Sequence, residues 1–157
     1  MKRVESVFGT VASLALFAMM ALTFADVVGR KFFDHSLTGA VELTEIFMSL
    51  MIYFALPLAS LAGEHIVFDL LDRVLPRQVL RWQKVLSHGL TTAILLGAAW
   101  IVSQRAGRTM EFGDITATLE IKLWPFQYLI AVMLVVTAVV HFVQAMLAAR
   151  REDRPAT

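Results

Sequence analysis

The chain has 157 residues, 58% apolar and only 17% charged, with a formal net charge of +1 and no cysteine. The missing cysteine excludes disulfide, thiolate and iron–sulfur chemistry, and so small a net charge gives no reason to invoke nucleic acid. A soluble domain carries about 25% charged residues, and a soluble chain this short has no interior for so much apolar length.

The apolar residues fall into four charge-free stretches, 6–25, 46–63, 85–104 and 123–149. A helix needs about 20 such residues to cross a hydrocarbon layer of ~30 Å. The expected fold is therefore an all-α integral membrane domain filling residues 1–157, with four tilted spans at about 6–28, 43–63, 84–105 and 123–149. Lys2 and Arg3 ahead of the first stretch could open a signal peptide, but the run exceeds the 7–15 residues of such a core, so it reads as a retained span. Nine of the fourteen basic residues lie on the side of the termini if four spans are drawn, which places both ends in the cytoplasm. That basic side faces anionic lipid.

At the end of the first span Asp26 and Arg30 stand one turn apart and can pair, and Gly29 between them admits a close backbone. Either the pair anchors a helix end at the interface, or it sets the geometry of the polar bridge to Glu42 and Glu45. Those two acids open the second span, where they suit a helix N-terminus; contact with a partner is the alternative. Pro57 removes a backbone hydrogen bond inside this span and should kink it. Small residues recur every four positions at Ala55, Ala59 and Gly63, and again in the third span at Gly89, Ala93 and Gly97. Such faces let helices approach each other or a partner closely.

After Gly63, apolar rows at Ile66, Leu70, Val74 and at Val67, Leu71, Leu75 oppose Asp69, Asp72 and Arg73. This predicts a short amphipathic helix at about 66–75, lying in the interface between the second and third spans. His65 reads as its cap, with a pH-sensitive role as the alternative. Residues 105–122 have mixed charge and two glycines and are expected as a loop outside the membrane, flanked by Trp100 and Trp124 as an aromatic belt.

No span carries Asp, Glu, Lys or Arg near its middle, where an ion or proton carrier keeps one despite a cost of at least ~2.5–3.5 kcal/mol. There is no phosphate loop and no nucleophile or metalloprotease motif. Neither a self-sufficient carrier nor an enzyme is expected, and no cofactor. His88 and His141 are the ionisable groups inside spans, and they raise one alternative, a haem-binding four-helix anchor subunit of a respiratory dehydrogenase. Counted at 1.5 Å per residue from Lys84 and Arg150, their depths differ by about two turns, which argues against one shared iron.

Four motifs in order, D-V-V-G-R-K-F-F at 26–33, G-A-V-E-L-T-E at 39–45, A-L-P-L-A at 55–59 and G-E-H-I-V-F-D-L-L at 63–71, resemble the small permease subunit of tripartite ATP-independent periplasmic (TRAP) transporters, the DctQ-like family. The resemblance covers nearly the whole chain. It implies a non-enzymatic scaffold subunit of a bacterial inner-membrane importer of an organic acid such as a dicarboxylate. Its implied partners are a large DctM-like permease subunit, which carries the substrate and sodium sites, and a periplasmic substrate-binding protein. The residues expected to matter are structural or partner-contacting: Asp26, Arg30, Glu42 and Glu45 at the outer rim, His65 and Asp69 at the inner one.

Overall fold

The computed structural model describes residues 2–62 and 77–150, and its long elements are all helices. They are α1 (Lys2–Phe33), α2 (Ala40–Ala62), α3 (Arg77–Phe112) and α4 (Trp124–Arg150). At 1.5 Å per residue they measure roughly 48, 35, 54 and 40 Å, each enough to cross an apolar layer of ~30 Å. Each also contains a window apolar enough for that crossing. The sequence thus folds into four helices each long and apolar enough to span a membrane. The interfacial helix expected at 66–75 lies outside the described residues, as do His65 and Asp69.

Local chemistry explains where the helices stop. Asp34, at φ 51°, ends α1, and Asp is among the few non-glycine residues that tolerate this left-handed conformation. The chain then doubles back over Gly29, where a Cβ would stand 2.9 Å from the His35 carbonyl oxygen. The close approach expected at that glycine is present. α3 continues about two turns beyond Arg105, through a stretch the sequence marks as loop. Packing against α4 carries it on: Ala106 is completely buried and Thr109 nearly so. Gly113, at φ 68°, then ends the helix, and the Asp114 N–H donates to the Thr109 carbonyl at 3.1 Å, a glycine-terminated cap. Residues 114–123 form a miniature antiparallel turn around an Ile115–Lys122 bridge. Pro125 sits in the first turn of α4, where the helix has no use for its missing N–H.

The packing is an open row rather than a closed bundle. Among the described helices α1 touches α2, α2 also touches α4, and α4 also touches α3; α1 and α3 each have a single neighbour. The row therefore runs α1, α2, α4, α3, with α2 and α4 pointing the same way. What is buried between helices is mostly small: Ala12, Ala15, Ala99, Ala106, Ala131 and Ala138, joined by Thr92, Thr109 and Thr137. Leu14, Phe17, Phe24, Leu86, Leu90, Ile94 and Trp100 point outward. This inversion suits hydrocarbon surroundings, where helices gain little by hiding large apolar side chains and associate by close backbone approach.

On α3 the buried residues Thr92, Ala99 and Ala106 recur every seven positions, and on α4 Ala131, Leu134, Ala138 and His141 follow a three–four spacing. These are the periods of helices packed at a shallow angle. The four-residue stripe of the sequence reading is not what joins α3 to α4. Added Cβ atoms on Gly89 and Gly97 would meet nothing within 4 Å, and Ala93 is exposed.

Candidate functional site

Two helical hairpins, α1–α2 and α3–α4, meet along one seam between α2 and α4. Pro57 and Thr137 are almost completely buried on these helices, and Ala138 is 1% exposed. The seam is held by polar contacts at both ends.

At the loop end the holding group is Glu42, in the first turn of α2. Its two carboxylate oxygens accept the backbone N–H groups of Thr118 at 2.6 Å and Leu119 at 2.9 Å. One side chain of the first hairpin therefore grips the tip of the other hairpin's loop. Directly beneath, Gly39 has φ 79°, and a Cβ there would collide with the Leu119 side chain. Glycine is required twice over, by conformation and by space.

Asp26 makes a separate clamp within the first hairpin. Its Oδ1 accepts the Leu37 N–H at 2.9 Å and the Ser36 hydroxyl at 3.1 Å, while its Oδ2 pairs with the Arg30 guanidinium at 2.6 Å. The residue is 8% exposed. Asp26 thus fastens the α1–α2 turn to the end of α1. No hydrogen bond among the described residues links it to Glu42 or Glu45. Glu45 is exposed on α2, without a hydrogen bond or ion pair among the described residues.

At the terminal end the contacts involve no carboxylate. The Ser60 hydroxyl lies 3.1 Å from His141 Nε2, and the Gln144 amide donates to the Ser60 carbonyl at 2.6 Å. His141 also reaches α3, its Nδ1 being 3.1 Å from His88 Nδ1. Three helices thus meet at one imidazole that is 4% exposed. The two-turn difference in depth expected for His88 and His141 is wrong. Counting from the nearest charge treats Lys84 as a boundary, whereas α3 begins at Arg77 and Lys84 already lies within it. Ser60 and Gln144 escaped the sequence reading, although polar residues in otherwise apolar spans, one of them three positions after a histidine, are the signal that finds them.

The histidine contact bears on the haem alternative. Two imidazoles on opposite sides of one iron hold their nitrogens about two metal–nitrogen bonds, roughly 4 Å, apart, with a macrocycle between them. Rings in direct hydrogen-bond contact leave no gap for one. Among the described residues no three His, Asp or Glu side chains converge on a possible metal position.

The contacts described fasten one hairpin to the other. No curated protein and no solved structure gives a significant match to the chain. Residues 2–151 match the family described as tripartite ATP-independent periplasmic transporters, DctQ component. With that match running almost end to end over four spanning helices, the chain belongs to the DctQ family, the small permease component of TRAP transporters.

Proposed function

We propose that this subunit is a rigid brace in the inner membrane, bound permanently to a large permease subunit that carries the substrate and sodium sites. The observation that supports this reading is the open row. A closed four-helix bundle hides most of its inner faces, but here the apolar windows of α1, α2 and α3 are only 6–11% buried within the chain. Such a shape offers wide apolar faces to a neighbour. The empty space beside Gly89 and Gly97 on α3 suits a helix of the large subunit approaching closely. The charge-free span centres fit the same division of labour, since an ion in transit needs a partner group within the membrane.

On this reading the termini face the cytoplasm and the loop end faces the periplasm, where a substrate-binding protein delivers an organic acid such as a dicarboxylate. Asp26, Arg30, Glu42 and Glu45 then form the outer rim. Asp26 and Glu42 shape it, and the exposed Glu45 remains available to a partner.

The test is reconstitution. Liposomes with both membrane subunits, sodium and a binding protein should accumulate the solute, and liposomes holding this chain alone should not. Transport by the isolated chain refutes the brace. Asp26→Ala should reduce the recovered two-subunit complex several-fold while leaving substrate preference unchanged. An intact complex with altered preference would remove Asp26 from the structural role.

A further inference from the structure

One face of α3 carries charge that nothing else in the described chain neutralises. Leu90, Ile94, Ile101, Arg105, Arg108 and Phe112 are all exposed, and their spacings of three, four and seven set them in one stripe along the helix. The stripe lies away from the face packed on α4, which Thr92, Ala99 and Ala106 define. Its two arginines make no ion pair or hydrogen bond among the described residues. Glu111, one turn beyond Arg108, is exposed and does not pair with it.

Depth sharpens the problem. α3 runs antiparallel to α4, and the Leu123 N–H donates to the Asp114 carbonyl at 3.3 Å, which sets the end of α3 level with the start of α4. Arg108 and Arg105 stand roughly 6 and 10 Å short of Phe112, at 1.5 Å per residue. Gly107, between them, faces α4, where a Cβ would meet the Tyr128 hydroxyl at 3.7 Å. The arginines therefore lie beside the first turns of a helix apolar enough to span, not in the water beyond it. The exposed Trp100 and Phe112 bracket them at the depth of an interfacial aromatic belt.

Two like charges one turn apart repel each other unless an anion joins them. Two guanidinium forks suit the oxygens of a phosphate. Next to them, toward the middle of the helix, Ile101, Ile94 and Leu90 offer an aliphatic track that a water-soluble anion could not use. Gly89 and Gly97, where another helix can approach, lie about a quarter turn away. We propose that Arg105 and Arg108 form a head-group site for an anionic phospholipid, its phosphate across the two guanidinium groups and an acyl chain along Ile101, Ile94 and Leu90. The site requires only that α3 crosses the bilayer; it is independent of the brace and of which way the chain faces.

The test is native mass spectrometry of the full chain in detergent, with dioleoyl-phosphatidylglycerol or dioleoyl-phosphatidylcholine added. The chain should retain phosphatidylglycerol in preference, and Arg105→Gln with Arg108→Gln should cut that retention roughly tenfold. Lys31→Gln with Lys122→Gln removes the same charge from the same end of the molecule and should leave retention nearly unchanged. Phosphatidylglycerol should also raise the unfolding midpoint of the unsubstituted chain, and not that of the arginine variant. Equal losses from the arginine and lysine pairs mean diffuse attraction and overturn the site, as does retention that the arginine pair leaves unchanged. Complete release of the lipid on adding the large subunit makes a carboxylate of that subunit the counterion, and overturns it as well. If the glutamine pair does not fold, Arg105→Lys with Arg108→Lys, which keeps the charge but not the forks, decides: several-fold weaker retention is expected, and unchanged retention overturns the proposal.

Discussion

The two ends of the α2–α4 seam meet the same need with opposite chemistry. At the loop end a full carboxylate, Glu42, grips the exposed backbone of Thr118 and Leu119. At the terminal end the buried Ser60 and His141, with Gln144, make the join without a carboxylate. Surroundings account for the contrast. A carboxylate at the rim keeps part of its water, whereas an ionised group inside a spanning helix costs at least ~2.5–3.5 kcal/mol. The rim can therefore use a strong, salt-sensitive acceptor, and the interior joins through a hydroxyl, an imidazole and an amide.

The change expected to do most damage strikes between the clamps. Ala138→Phe forces a large ring into a site that is 1% exposed and should cost at least ~1–3 kcal/mol by overpacking. Both clamps should loosen together, read as a lower unfolding midpoint and loss of the purified two-subunit complex. His141→Leu should affect the terminal end alone. It removes the contacts that His88 and Ser60 make with His141, at about 1–3 kcal/mol, and adding Ser60→Ala should recover part of that loss in a double-mutant comparison of midpoints. Gly39→Ala acts at the other end, forcing an alanine to φ 79° against Leu119, also at about 1–3 kcal/mol. Limited proteolysis should then cut the 113–123 loop faster while the terminal end stays protected. The mildest change is Glu42→Gln, which retains one acceptor oxygen. Its loop should be cut only modestly faster, but added salt, which speeds cutting in the unsubstituted chain, should lose its effect. Salt sensitivity that persists in the variant would place the rim's electrostatics elsewhere.

Much of the architecture was legible from the residues alone. Runs of 18–27 uncharged residues can only be spanning helices in a chain this size, because a helix satisfies its own backbone groups in lipid. The Asp26–Arg30 pairing followed from a spacing of four, and the close approach at Gly29 from the missing side chain. The depth difference between His88 and His141 was wrong, because the two imidazoles stand in contact. Glu42 was read through its own helix and not through the distant loop it holds, since the 76 residues separating Glu42 from Thr118 leave no local trace of the contact.

The sequence by itself determined the class, the number of spans and the family, because those depend on length, hydropathy and motif order, all of which are local along the chain. Tertiary structure alone decided that the helices stand in a row, that α3 turns its heptad face and not its glycine stripe to α4, and that Ser60, His88 and His141 meet. Apolar faces in lipid all look alike to a hydropathy count. Which of them touch depends on small shape differences and a few polar atoms, and those act only when the helices are side by side.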